Sequence, residues 1–392
     1  MKNYLFVLGR NFKLSKAEIL NFCEEAFGSE EKGLFVAKNL KFENPRNLPK
    51  SPEQIFLDRL GGTVRMAEVL GEFRSKLEMR DVIVEVMKDE GLNKLGLSCF
   101  GCGKDFLKDF WNSMSNSFDK KVRLENRHFE NMTSGQIFDR KLLKKGAEFI
   151  IWKNVDSYLL TRTCANQNLR NYVLRDRKKP FRDAKMGMLP PKLAQILINL
   201  ANPSWQEKVI DPFCGSGTVC AEAAVMGFKT VGSDMNKEFV AGARENFEFI
   251  AEKFRFDKNS GDFLVERAEL FPFEKYLGVI ATEGFLGENY DSNTKIPREK
   301  VVAESERILE IWGAIFEKLE KTDIKRVAFC LPCWNFRGEK LSISKKLFAK
   351  IEKNNYIPQD LFGNNATFIY ERDKTFVARE VCIVQRSNDL TL

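Results

Sequence analysis

Residues 209–236 read VIDPFCGSGTVCAEAAVMGFKTVGSDMN. A short apolar run ends at Asp211. A tight turn with Gly215 and Gly217 follows, then a helical stretch, then a second apolar run that ends at Asp234. Strand, turn, helix and strand in that order form one winding of a parallel sheet. Glycines in such a turn let the backbone approach a ligand closely. The crevice at the carboxyl ends of the strands is where these sheets bind ligands. An acid about twenty residues beyond the turn can accept hydrogen bonds from two ribose hydroxyls.

The alternation continues outward. Pro190-Pro191 opens a helix with Leu193, Ile196, Leu197 and Leu200 on one face. Downstream come the helix NKEFVAGARENFEFIAEKF, the strand YLGVIATE, a helix around REKVVAESERILEIWGAIFEKLEK, and the strand RVAFCLP. Residues 186–392 therefore read as one α/β, Rossmann-like domain. TFIYERDKTFVAREVCIVQR reads as a closing pair of strands around Asp373-Lys374.

Upstream the pattern differs. Residues 1–68 mix short strands with helices; Ser51-Pro52-Glu53 starts a helix and Gly61-Gly62 stops it. They read as a small α+β unit. Residues 69–170 are a second mixed segment, punctuated by Gly101, Gly103 and Gly146. Residues 171–185, NYVLRDRKKPFRDAK, set Arg175, Arg177, Lys178, Lys179, Arg182 and Lys185 against Asp176 and Asp183. They read as a basic linker, or equally as a solvated connector.

At 392 residues the chain is expected to hold two or three domains. Its formal net charge of +8 permits a polyanionic partner without requiring one. The N-terminal apolar run is too short for a signal or a span, and no stretch approaches about twenty apolar residues, so a cytoplasmic protein is expected. Nine cysteines without a secretory signal imply reduced thiols. Cys99-Phe-Gly-Cys102 and Cys330-Leu-Pro-Cys333 have the spacing of a four-thiolate zinc site. Both lie in apolar, strand-like runs where Cys serves as a small core residue, so no metal is expected. His128 has no second His to pair with, which argues against metal or triad chemistry centred on it.

The turn also narrows the ligand. There is no GxxxxGK[ST] phosphate loop, and GSGTVC lacks the third glycine of a dinucleotide fingerprint. Asp211 beside the turn disfavours a pyrophosphate. An acid, a GxG turn and a ribose acid suit a cationic nucleoside, S-adenosyl-L-methionine. Asp262, in NSGDF, falls after the next strand region, where it could contact the adenine amino group. Phe213, Thr218 and Met235 lie within the same segments and complete the expected cofactor set.

DPFCGSGT, GSDMN and GMLPPKLAQILINL resemble the catalytic domain of the tRNA guanine-N2 methyltransferases that act on the guanosine at position 10. The resemblance reaches outward. MKNYLFVLGRNFKLSKAEI and FLDRLGGTVRMAEVL are similar to the family's ferredoxin-like unit, and LGLSCFGCG through KGAEFIIWKN to its THUMP domain. The basic segment resembles the linker into the catalytic domain. The resemblance implies S-adenosyl-L-methionine as cofactor, tRNA as partner and a small activator subunit as a further one, with no membrane and no DNA. It assigns Asp211, Gly215 and Gly217 to the methionine side of the cofactor, Asp234 to the ribose and Asp262 to the adenine.

The family places Asp/Asn-Pro-Pro-Tyr/Phe after the fourth strand. A guanine exocyclic amine is a poor nucleophile because its lone pair is delocalised into the ring. Its N–H hydrogens must be accepted by a carboxylate or amide and a backbone carbonyl, which aligns the nitrogen with the methyl group. An aromatic stacks on the base. The matching stretch here is Thr282-Glu283-Gly284-Phe285-Leu286-Gly287. Glu283 replaces the Asp or Asn, Gly284 and Phe285 replace the prolines, and Leu286 falls where the aromatic is expected. Gly284 gives up the fixed φ of proline, so the carbonyl is expected to be less well held. Two other readings stand beside the enzyme: a tRNA-binding protein with a degenerate site, and a DNA amino-methyltransferase, against which the N-terminal 170 residues argue.

Overall fold

The computed structural model describes residues 2–40, 48–118, 120–182, 188–288, 296–336, 338–361, 366–371 and 376–387. Asp183 and Lys185 of the basic segment, and the Asp373-Lys374 turn, lie outside the described residues. The chain divides into two compact units, Met1–Asn171 and Tyr172–Leu392.

The first unit is built on one mixed sheet. Its strands are β1 (Tyr4–Leu8), β2 (Glu25–Ser29), β3 (Leu34–Lys38), β4 (Thr63–Phe73), β5 (Lys94–Phe100), β6 (Arg123–Leu124), β7 (Ala147–Lys153) and β8 (Tyr158–Asn166). They lie in the order β2-β3-β1-β4-β8-β7-β5-β6. β5 runs parallel to β6 and β7, and the other pairings are antiparallel. The expected boundary at 68/69 falls inside β4, so residues 1–68 and 69–170 share a sheet rather than forming separate ones. The reason is visible in the core. Arg65 of β4 pairs with Glu148 of β7, and the Ser98 and Thr163 hydroxyls donate to the same buried carboxylate at 2.7 and 2.5 Å. Losing one partner of such a buried pair costs about 3–5 kcal/mol, which welds the two halves together. The helix Pro52–Arg59 starts at Ser51, whose hydroxyl accepts from the Gln54 amide, as its sequence predicts.

The second unit is a doubly wound α/β sheet. Its strands are β9 (Lys208–Asp211), β10 (Thr230–Asp234), β11 (Gly261–Val265), β12 (Gly278–Thr282), β13 (Arg326–Phe336), β14 (Glu339–Ser342), β15 (Tyr356–Pro358), β16 (Thr367–Tyr370) and β17 (Val377–Arg386). The order is β11-β10-β9-β12-β13-β17-β15, with β14 beside β13 and β16 beside β17. β9 to β13 are parallel, and β17 is antiparallel to β13. Both faces are covered, so β12 is buried at every position. Phe271, Phe273, Trp312, Phe316 and Phe329 fill one side, and Ala221, Ala224, Val240 and Phe247 the other. The helix Pro191–Ala201 starts at its proline and ends on Asn202 in the left-handed region. Strand order reverses between β9 and β12. That reversal is the switch point beside which ligands bind in open α/β sheets.

The basic segment is not a solvated connector. Leu169–Arg177 is a helix, and Arg175 and Lys179 are buried. Arg175 pairs with Glu222 at 2.7 Å. Asn246 holds Phe181 by its main chain: Phe181 N–H donates to Asn246 Oδ1 (2.9 Å), and Asn246 Nδ2 donates to the Phe181 carbonyl (3.0 Å). Buried apolar and polar partners, rather than its charge count, decide the path of this segment. No helix among the described residues is long and apolar enough to cross a membrane.

Candidate active site

Asp211 closes β9 at the switch point and is buried. Its Oδ1 accepts from the Phe213 amide at 3.1 Å and from the Thr282 hydroxyl at 2.6 Å. Burial pushes its carboxyl up to about 7, and those two hydrogen bonds oppose the shift. Thr282 ends β12, and its Oγ1 in turn accepts from the Gly284 amide at 3.2 Å. One carboxylate thus ties together the two strand ends that flank the switch point, 71 residues apart. Thr282 was not among the expected site residues. Its signal was a lone hydroxyl at the end of the apolar run VIAT.

The turn after β9 is tight. Gly217 donates to the Cys214 carbonyl at 2.7 Å and has φ +78°. A Cβ there would lie 3.0 Å from the Ala243 Cβ, so the position requires glycine for both conformation and space. Gly217 opens the helix Thr218–Met226 and offers no side-chain cap, which leaves the first-turn N–H groups without a capping side chain. Gly215 donates to Asp234 Oδ2 at 3.1 Å, and Asn236 donates to Oδ1 at 2.9 Å. Burial raises the Asp234 carboxyl above its ordinary value. Met235, next along, is exposed. Phe213 is partly buried against Trp312, with ring centroids 5.6 Å apart. The structure brings Asp211, Phe213, Gly215, Gly217, Thr218, Asp234 and Met235 to one edge of the sheet. A glycine cradle, a carboxylate at the end of β10 and an exposed apolar side chain beside it suit an adenosyl group.

Asp262 is not with them. It is the second residue of β11, opposite Val231 near the start of β10, and it pairs with Lys208 at 2.9 Å. It therefore sits at the amino end of the strands, a strand length from the crevice. The strand begins at Gly261 rather than ending near it. The acid that follows the carboxyl end of β11 is Glu266, whose amide donates to the Asp234 carbonyl at 3.1 Å.

The end of β12 leads into Glu283-Gly284-Phe285. Glu283 is mostly buried and forms an ion pair with Arg379 of β17. Burial works against the charge on Arg379, and Glu283 more than offsets it, so the guanidinium is raised above its usual value. Gly284 has φ +72°, which proline cannot adopt, and a Cβ there would meet the Cys330 carbonyl and Trp312 at 3.0 Å. The glycine fits a left-handed, close-packed turn. Phe285 is partly buried against the core, with the Arg307 guanidinium 5.4 Å from its ring centroid. Leu286 is partly buried as well. Arg379 was missed because it lies 96 residues from Glu283, in a strand read only as part of a hairpin.

The two CxxC pairs differ in setting. Cys99 and Cys102 lie side by side, with Cα atoms 5.8 Å apart. Cys330 and Cys333 are buried in β13, and burial pushes the Cys333 thiol up to about 11. Among the described residues no group of three or more His, Cys, Asp or Glu side chains could hold a metal ion.

Residues 179–265, which contain the turn and both strand ends of the cofactor side, match a family model described as "RMKL-like, methyltransferase domain". Among individual proteins, the chain is 36% identical over 94 residues to a tRNA (guanine(10)-N2)-dimethyltransferase of Methanothermobacter thermautotrophicus; the match covers 24% of this chain and 27% of that protein. It is 33% identical over 123 residues to the protein of the same name from Pyrococcus abyssi, covering 31% and 34%. The aligned part spans about a quarter to a third of these relatives. Among solved structures, TrmN from Thermus thermophilus aligns with 98% of this chain and 100% of its own, at 13% identity and a TM-score of 0.49.

Proposed function

We propose that the protein is an S-adenosyl-L-methionine-dependent methyltransferase acting on the exocyclic N2 amine of a guanosine in tRNA, of the position-10 type. The observation that carries the reading is the shared hydrogen-bond chain at the switch point. The Gly284 amide, the Thr282 hydroxyl and the Asp211 carboxylate join the cofactor turn to the strand end that carries Glu283. An adenosyl-cofactor edge and an acceptor edge in fixed register are what transfer between two bound molecules needs. The local similarity to the named tRNA methyltransferases supports the substrate class.

When bound, S-adenosyl-L-methionine supplies an electrophilic methyl group on its sulfonium. Asp234 accepts hydrogen bonds from the ribose. Gly215 and Gly217 let the chain pass close to the cofactor, with Phe213, Thr218 and Met235 around it. Asp211 faces the cationic side. Asp262 has no place in this set. At the end of β12, Glu283 accepts an N–H of the target amine and so localises the nitrogen lone pair. The pairing with Arg379 fixes the carboxylate's direction. The Gly284 turn sets the path to Phe285, whose ring is the aromatic nearest the acceptor acid in sequence. Residues 1–170 serve as the RNA-binding part, with ferredoxin-like and THUMP elements on one sheet. The protein acts in the cytoplasm, and a small activator subunit is a further partner.

A second reading has one observation in its favour. Arg379 already engages Glu283, and a carboxylate held by a guanidinium has less capacity to accept from a base. A tRNA-binding protein that does not transfer methyl groups would tolerate that pairing. Transfer of label from methyl-labelled cofactor separates the readings. The first expects label in unmodified tRNA and none in duplex DNA. Label in DNA alone, or cofactor binding without label in any tRNA, contradicts it.

A further inference from the structure

We propose that Lys179 is the counter-charge for the carboxylate of the cofactor's methionine moiety; the assignment rests on the S-adenosyl-L-methionine reading above. Lys179 is 4% exposed, and its ammonium donates to Ser216 Oγ at 3.1 Å and Thr218 Oγ1 at 3.0 Å. Both partners are neutral hydroxyls, and both belong to the cofactor turn. Among the described residues, no carboxylate lies within ion-pair distance of it. A buried ammonium without a counter-ion is costly, and the lowered proton affinity of Lys179, caused chiefly by burial, reflects that cost.

The neighbouring charges do not neutralise it. Glu222 is the buried acid nearby, and it is already bound by Arg175 at 2.7 Å. With Glu222 taken up by Arg175, Lys179 keeps only the Ser216 and Thr218 hydroxyls as hydrogen-bond partners among the described residues. Asp176 is partly buried on the same segment and acts on Lys179 only through space. Nor is Lys179 needed merely to fasten its segment. The Arg175–Glu222 pair and the Asn246 clamp on Phe181 already hold it on either side, and Asn246 also donates to the Ser216 carbonyl at 2.9 Å.

The cofactor's charges complete the case. Its sulfonium and ammonium are cations, which Asp211 complements. Its single anion is the carboxylate, which needs a cation near the same turn. Arg379, the other buried cation of the site, is paired with Glu283. The uncapped start of the helix Thr218–Met226, with its positive dipole end, adds a second anion-favouring element beside Lys179.

Calorimetric titration of the full chain tests this, with S-adenosyl-L-methionine and its decarboxylated analogue as probes. The wild type is expected to bind the decarboxylated analogue about tenfold or more weakly, the loss typical of a charged hydrogen bond. Lys179→Met is expected to weaken S-adenosyl-L-methionine by a similar factor and to leave the analogue within about twofold; Lys179→Arg is expected to restore the preference. Equal losses for both ligands in Lys179→Met, or no loss for either, overturn the assignment while leaving the cofactor reading intact. Should Lys179→Met fail to fold, the wild type decides alone, since equal affinity for the two probes also overturns it. Failure of the wild type to bind either probe overturns the cofactor reading and the assignment together.

Discussion

On the β9–β10 side of the site, the residues come from one continuous stretch, 209–236, and each keeps the place its sequence implies. Asp211 ends one strand, Asp234 ends the next, and the glycines between them turn the chain. On the β12 side the residues come from distant parts. Glu283 answers to Arg379 on β17, and Gly284 packs on Trp312 and on the carbonyl of Cys330 in β13. A site edge closed by its own local turn tolerates change elsewhere in the chain. An edge closed by tertiary partners changes when those partners change. Glu283, Gly284 and Phe285 therefore form one set with Arg379 and the left-handed turn at Gly284.

Substitutions on the two sides are expected to have separable effects. The largest expected effect is at Glu283. Glu283→Gln keeps shape, but Arg379 takes its one acceptor oxygen and leaves the NH2 group toward the amine, so methyl transfer to tRNA is expected to fall by about a hundredfold or more. Cofactor affinity, measured by calorimetry, should stay within about twofold. Equal losses in both would merge the two sides. Glu283→Ala is a poorer test, because an unpaired buried Arg379 would itself destabilise the fold.

Gly217→Val acts on the other side. Its Cβ would crowd Ala243, and its backbone would be held at φ +78°. Cofactor affinity should fall by about tenfold or more, and stability by about 1–3 kcal/mol in chemical denaturation. Normal cofactor binding by a folded Gly217→Val protein would remove the turn from the site.

A smaller effect concerns pH. The Asp211 carboxyl is raised from 3.8 to about 7 in the fold. Between those values the folded chain keeps a proton that the unfolded chain has released. This group's contribution to stability is thus fully present below pH 3.8 and lost as the pH rises through 7. Ionised Asp211 favours a cationic ligand, so cofactor affinity should climb several-fold between about pH 6 and pH 8. Asp211→Asn should flatten both profiles; a retained slope would place the titration elsewhere. Smallest is Gly284→Ala, expected to cost about 1–2 kcal/mol through its positive φ and close packing. An unchanged melting curve would show that the acceptor turn relaxes freely.

Much of the local structure of the candidate site was legible because its proposed cofactor half is one continuous stretch. Alternating strands and helices, the GSG turn and the two strand-end acids all lie within the range over which sequence dictates conformation. Asp262 misled because NSGDF was read as the end of a strand. The strand in fact runs through Phe263 to Val265, and only its register against β10 reveals which end faces the crevice. Arg379, Thr282 and Lys179 were not legible as site residues, since each is defined by a partner 39 to 96 residues away. The 68/69 boundary failed for the same reason. Arg65 and Glu148 meet only once the sheet is assembled.

We propose that Glu283, Arg379 and Gly284 form an acceptor edge that directs methyl transfer to a guanosine amine. Nucleoside mass spectrometry of unmodified tRNA incubated with the protein and S-adenosyl-L-methionine tests it most directly. N2-methylguanosine is expected with the wild type and its near absence with Glu283→Gln. Saturable cofactor binding by the wild type with no methylated guanosine in any tRNA would contradict it.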